Sequence, residues 1–145
     1  MDGVGWRGSG RACKLVGRGA RVVGYDRHAP PHTMCSSHGR SRIIREAYFE
    51  DPLYVPLVQR AYELWAALEH EVGDPLYVQT GGLRIGPPDG ELFAGALRSA
   101  TEHGLAHSIL EPDEVQRRFP GFRVPSGSRA LHEPRAGLLL PEKIV

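Results

Sequence analysis

Gly3-Val4-Gly5-Trp6-Arg7-Gly8 reads G-x-G-x-x-G, and this pattern restricts the possible folds of the chain more than any other stretch. Glycines at that spacing permit a tight turn from strand to helix, close approach of backbone N–H groups to a pyrophosphate, and close packing of helix on strand. The following residues keep the required order: Ser9 to Gly17 suits a helix, Gly19 can end it, and Ala20-Arg21-Val22-Val23-Gly24-Tyr25 predicts a strand closing on Asp26. An acid about twenty residues past the glycines is where a carboxylate accepts the ribose hydroxyls of an adenosine. The strand that should precede the turn has no counterpart, because only Met1 and Asp2 stand before Gly3. Trp6 and Arg7 are also bulky for the turn, and Arg11 and Lys14 make its helix more polar than one packed on a sheet. The expectation is a βαβ unit without its first strand, as in a fragment, a misplaced start or a decayed amino end.

Charge singles out the same region. Residues 1–45 carry nine Lys/Arg against two Asp/Glu, whereas residues 46–145 carry nine against fifteen. The net charge of +1 excludes a polycation built to neutralise nucleic-acid phosphates. Local positive charge can still focus an anionic ligand, or it can be a solvated arginine-rich surface. A chain of 145 residues has room for about one domain with its own core. A mean hydropathy of −0.32 with no long apolar run leaves no expectation of a membrane span. The amino end has no apolar segment of the secretory kind, and the two cysteines, Cys13 and Cys35, cannot build a disulfide framework or a four-cysteine zinc site, so a reducing cytoplasm is expected.

From His28 the chain runs HAPPHTMCSSHGRSRIIREAYFEDPLYVPLVQRAYELW. The P-P-H-T, S-H-G and R-I-I-R runs in this order resemble the monomeric sarcosine oxidase and N-methyltryptophan oxidase family of FAD-dependent amine oxidases. The resemblance continues through Thr80-Gly81-Gly82-Leu83-Arg84-Ile85-Gly86-Pro87, Arg118-Phe119-Pro120 and Glu133-Pro134-Arg135-Ala136-Gly137-Leu138-Leu139, from Gly3 to Val145 without large gaps. It implies an α/β fold: a partial FAD-binding, Rossmann-like βαβ segment over residues 1–48 lacking its first strand, then part of an α+β substrate domain over 49–145. It implies that Gly3, Gly5 and Gly8 approach the FAD pyrophosphate, that Asp26 holds the ribose, and that Ser36, Ser37, Ser41, Arg42 and Ile43 line the flavin side. His38 and Arg42 match positions beside the flavin that assist catalysis, and Arg45 matches the arginine that clamps the substrate carboxylate. Cys35 replaces the glycine usual at its position. The implied reaction oxidises a secondary amino acid to an imine and reduces oxygen to hydrogen peroxide, in a monomeric full-length enzyme with no nucleic-acid or membrane partner. The family places its flavin-linking cysteine, its oxygen-activating lysine and a second carboxylate-binding residue later than Val145, and neither Cys13 nor Cys35 matches that cysteine.

The residues themselves leave two readings of the arginine run. Guanidinium groups are permanent cations shaped for a carboxylate, a phosphate or an anionic flavin; equally, Arg42 and Arg45 can pair with Glu46, Glu50 or Asp51 on a surface. As a helix the run puts His38, Arg42 and Arg45 on one face. As a strand, favoured by Ile43-Ile44, it turns Arg42 and Arg45 to opposite sides.

Further along, Asp51 and Pro52 read as N-cap and first helical residue, and Leu57, Ala61, Leu64, Trp65, Leu68 and Val72 recur at helical spacing until Gly73, as a core-facing stripe should. Leu76 to Ile85 reads as strand broken at Gly81-Gly82. Asp89 opens a helix with Leu92, Phe93, Ala96, Leu97 and Ala100 on one face and Gly104 as its stop; a short helix follows Pro112, and paired strands flank Glu133-Pro134-Arg135. The histidines have no dependable metal spacing, and no metal is expected. Neither a G-x-S-x-G elbow nor a Walker loop occurs. Two rival functions remain: a non-catalytic remnant that at most binds a nucleotide or a partner, and a nicotinamide-dependent dehydrogenase resting on the glycines and Asp26 alone.

Overall fold

A computed structural model describes residues 6–29, 32–34 and 38–143, in two compact units: residues 1–42 with 139–145, and residues 43–138. Gly3, Gly5, Cys35, Ser36 and Ser37 lie outside the described residues.

In the first unit, α1 spans Trp6–Val16 and starts earlier than the spacing predicts, so that Gly8 falls within its first turn. Its carbonyls at Cys13, Leu15 and Val16 are taken by the N–H groups of residues 17–20. The expected strand over Ala20–Tyr25 is not formed: the segment joins neither sheet, and Val23 and Tyr25 are 73% and 81% exposed. β-propensity makes a strand only where a neighbour accepts the ladder hydrogen bonds, and no described strand lies alongside.

The strand alternative holds for the arginine run, as β1 is Arg42–Ile44, at the start of the second unit. There follow a 3₁₀ turn Pro52–Tyr54, α2 (Val55–Val72), β2 (Tyr77–Gln79), β3 (Gly82–Gly86), α3 (Glu91–Glu102), β4 (Ser108–Leu110), α4 (Pro112–Arg118), β5 (Arg129–Glu133) and β6 (Gly137–Leu139). Asp51 caps the 3₁₀ turn by accepting the Leu53 N–H at 2.9 Å, with Pro52 behind it, as the pair predicts. Gly81 separates β2 and β3, and they enter different sheets of order β1-β6-β2 and β3-β5-β4. The strands flanking Glu133-Pro134-Arg135 are likewise not paired with each other, because β5 belongs to one sheet and β6 to the other.

The β3-β5-β4 sheet is antiparallel, with Gly82 opposite Glu133, Arg84 opposite Leu131, and Ser108 opposite His132. Alternation along β5 divides the core. Leu131 packs with Phe93, Ala96 and Ala100 of α3 and with Ala47, Val55 and Leu105. Ala130 packs with Leu110, Val115 of α4, Leu83, Ile85 and Phe119. Complete burial of residues such as Phe93 and Leu131 contributes about 1.5–3 kcal/mol each.

The apolar stripe of α2 is not core here: Leu57, Leu64 and Val72 are 67%, 41% and 53% exposed, while Val55 and Tyr62 are buried. Val55 is anchored in the α3 cluster and the Tyr62 hydroxyl donates to the Arg135 carbonyl at 2.9 Å, and these two contacts fix the rotation of the helix. Ala61, Trp65 and Leu68 of the stripe are half-buried. No helix among them is long and apolar enough to cross a membrane.

Candidate functional site

A cavity of about 470 Å³ opens at the free edge of β3, within the second unit. Arg45, Arg84 and His132 bring its charged and titratable groups, Ile43, Leu83, Leu92, Phe119, Phe122 and Leu138 supply apolar wall, and among the described residues no carboxylate lines it. Gly81 shapes its rim. Its φ of +71° is a backbone region that side chains disfavour, and a Cβ there would stand 2.9 Å from the His132 ring nitrogen. Backbone N–H groups of Thr80 and Gly81 both donate to the Ala136 carbonyl, tying this turn to the residue before β6.

Arg45 follows directly after β1 on a segment held by one side chain from a distant part of the sequence. The Glu133 carboxylate, 1% exposed, accepts the N–H groups of Glu46 at 2.6 Å and Ala47 at 3.1 Å, and lies 2.8 Å from Nη2 of Arg84. The segment is also clasped by α3, where the Ser99 hydroxyl donates to the Tyr48 carbonyl. Arg45 sends Nη2 to Glu50 at 3.2 Å and its guanidinium lies 4.8 Å from the Tyr48 ring centroid, a cation–π distance. Its Nε is buried with no hydrogen-bond partner, as are Nε and Nη2 of Arg84. The Arg84–Glu133 contact is therefore an ion pair by distance whose N–H is poorly aligned for a hydrogen bond.

Of the acids proposed from sequence as partners of the arginines, only Glu50 serves as one. Glu46 is buried and pairs with Arg135 at 2.8 Å, while Asp51 is a cap. Burial raises the Glu46 carboxyl above its ordinary value, opposed by the Arg135 guanidinium and reinforced by Glu133. Burial also pushes the Tyr62 phenol up, and both Tyr62 and Tyr77 donate to the Arg135 carbonyl. The Arg84–Glu133–Glu46–Arg135 network escaped the sequence reading. Its available signal was an arginine between Leu83 and Ile85 in a strand otherwise built of apolar residues and glycine.

The remaining proposed residues lie in the first unit or at its boundary. His38 is exposed, with Nδ1 3.5 Å from Glu142, whose carboxylate also accepts the Gly39 N–H at 3.1 Å. Arg42 donates to the Ser41 carbonyl at 2.9 Å and to the His38 carbonyl. Ser41 is exposed, Ile43 is 70% exposed, and Asp26 accepts the His28 N–H at 3.1 Å and lies 3.4 Å from His32.

His132 reports on the cavity by titration. Burial lowers its pKa below the ordinary 6.5, Arg118 adds to the fall, and Glu133 opposes it. The unfolded chain then binds more protons than the native one between the two values. Stability contributed by this group is fully present above 6.5 and is lost as pH falls through the native value. Melting temperature is expected to drop between pH 7 and pH 5.5 by more in the wild type than in His132→Gln; parallel curves from thermal scans would contradict this.

The cavity thus combines an apolar wall with the guanidinium groups of Arg45 and Arg84. The chain belongs to the FAD dependent oxidoreductase family, whose pattern it matches over residues 3–145. It is 46% identical over 143 residues to the monomeric sarcosine oxidase of Streptomyces avermitilis, covering 99% of this chain and 37% of that protein. Similarity to the N-methyl-L-tryptophan oxidase of Salmonella arizonae is 39% over 124 residues, 86% of this chain and 33% of that one. Among solved structures, NikD, an unusual amino acid oxidase essential for nikkomycin biosynthesis, superposes with a TM-score of 0.85 at 25% identity, over 98% of this chain and 37% of its own. The fold is thus α/β, with the mixed helices and open sheets of these oxidases. The chain spans about 37% of the length of the sarcosine oxidase relative.

Proposed function

We propose that this chain is the amino-terminal segment of an FAD-dependent oxidase of secondary amino acids, sarcosine-like N-methyl amino acids included. Residues 1–48 serve the cofactor, apart from Arg45, which serves the substrate together with residues of 49–145. The observation that carries the reading is Arg45: a guanidinium in an apolar cavity, with a buried Nε–H lacking an acceptor, is suited to a substrate carboxylate. Its Nη2 is engaged by Glu50, and its Nε is left for a ligand.

The described residues are compatible with FAD. No acidic side chain stands in the first turn of α1, so the positive end of the helix is not offset there, and Gly8 adds no bulk. The Asp26 carboxylate accepts the His28 N–H and lies 3.4 Å from His32. Gly3, Gly5 and Gly8 would approach the pyrophosphate, Asp26 the ribose, and Ser36, Ser37, Ser41, Arg42 and Ile43 the flavin, with His38 and Arg42 assisting catalysis. Bound FAD would supply the oxidation itself, taking a hydride equivalent from a C–H bond next to the amine nitrogen and passing the electrons to oxygen to give hydrogen peroxide.

In a protein containing this chain and the remainder of such an oxidase, Arg45→Ala removes a charge-assisted contact of roughly 1.5–3 kcal/mol and is expected to lower kcat/KM for sarcosine about ten- to 150-fold. Simple amines without a carboxylate should lose far less, and Arg45→Lys should fall between, keeping the charge without the fork. Equal losses for acid and amine in steady-state assays would make Arg45 a structural partner of Glu50 and sink the substrate assignment.

A further inference from the structure

We infer that the cavity accepts an amino acid bearing a second acidic group, and that Arg84 is the residue that reads it. The inference rests on the proposed carboxylate role of Arg45 and names the substrate class more narrowly.

Arg84 lines the cavity with a side chain only 7% exposed. Buried N–H groups nearly always meet an acceptor, yet its Nε has none among the described residues, while Nη2 is held as an ion pair 2.8 Å from Glu133. Its one charge partner is already shared: Glu133 also accepts two backbone N–H groups, from Glu46 and Ala47. Part of that carboxylate's field is therefore spent on holding the Arg45 segment. Among the described residues no acid lines the cavity itself; Glu133 lies 2.8 Å from Arg84 and Glu50 3.2 Å from Arg45.

Repulsion between the two cations adds to this. Burial lowers the Arg84 pKa, opposed by Glu133, and Arg45 adds to the fall. One carboxylate at Arg45 offsets one of these cations and leaves the Arg84 Nε–H unmet. A second carboxylate on the same molecule meets it and relieves the repulsion. Apolar walls of Leu83, Leu92, Phe119 and Phe122 lower the local polarity and strengthen both contacts. Arginine presents its donors as a planar fork that matches a carboxylate, which makes a second acid a better fit than an extended apolar side chain.

The test uses the 145-residue chain labelled with ¹⁵N. The Nε–H resonances of Arg45 and Arg84 are assigned from Arg45→Lys and Arg84→Lys, then followed through titrations with acetate, malonate, succinate and glutarate at fixed ionic strength. The best-fitting dicarboxylate is expected to move both resonances together and to bind about tenfold more tightly than acetate, an advantage that Arg84→Met abolishes. If Arg84→Met does not fold, the comparison of acetate with the dicarboxylates on the wild type decides by itself. Movement of Arg45 with Arg84 unmoved by every dicarboxylate overturns the inference while leaving the carboxylate reading of Arg45 intact. Movement of Arg84 alone overturns the Arg45 reading and keeps Arg84 as an anion site. If neither moves, both fall.

Discussion

Replacing Glu133 by alanine is expected to remove about 3–5 kcal/mol of stability, the range for breaking a buried ion pair by deleting one partner. The carboxylate is buried, and its loss strands three donors at once: the N–H groups of Glu46 and Ala47 and the guanidinium of Arg84. Each buried donor left unsatisfied carries its own desolvation penalty. Against a total of about 5–15 kcal/mol for an ordinary domain, the variant would stand near the unfolding threshold. Glu133→Gln should lie between, since the amide retains one acceptor oxygen but sets an NH₂ against the second donor and removes the charge facing Arg84. Pairing Glu133→Leu with Arg84→Met should recover part of the loss, because the buried charge leaves together with its partner. Urea titrations followed by far-UV circular dichroism measure all three. A loss under about 1 kcal/mol for Glu133→Ala would mean that Arg84 and the two amides find other partners or water.

Gly95→Ala carries the second largest expected effect, and its sign separates two readings. In an exposed helix interior, glycine to alanine gains about 1 kcal/mol from propensity. Here a Cβ would stand 2.2 Å from the Phe49 carbonyl oxygen and 3.0 Å from its carbon, both backbone atoms. Neither a rotamer change nor the bending of a long side chain can relieve that contact, so α3 or the segment 47–49 must shift. The Ser99 hydroxyl, one helical turn further along α3, grips the carbonyl of Tyr48 and opposes the shift. A net loss at or above the upper end of about 1–3 kcal/mol is expected, as for overpacking in a tight core. The same displacement would move the segment that carries Arg45, so the Arg45 Nε–H resonance should shift in Gly95→Ala with no ligand present. A stabilised variant with an unchanged Arg45 resonance would show that the helix does not press on this backbone.

How much of this was legible beforehand varies along the chain with what each element depends on. The helix ending at Gly73, the helix before Gly104 and the short helix after Pro112 were readable because their signals are local: terminating glycines, first-turn prolines and a period of 3.6, although no side chain caps the start of any of them and α3 starts from Gly90, not Asp89. The break at Gly81-Gly82 was readable for the same reason. Ala20–Tyr25 was misread because a strand is a property of two segments, and its own β-propensity cannot supply the neighbour that would make it one. The stripe on α2 was correctly seen as apolar and wrongly placed in a core, since Val55 and Tyr62 set the helix rotation through contacts far away in sequence.

The sequence by itself determined the family, through motifs that run in order from Gly3 to Leu139, and it singled out Arg45 within the R-I-I-R run. It could not determine the environment of that arginine. Glu133 lies more than eighty residues from the amides it accepts, and only antiparallel pairing of β3 with β5 puts it beside Arg84. A charge buried in a sheet is tolerated only where its counter-charge and donors arrive from other elements. Those elements meet through tertiary packing, which no local pattern of residues records.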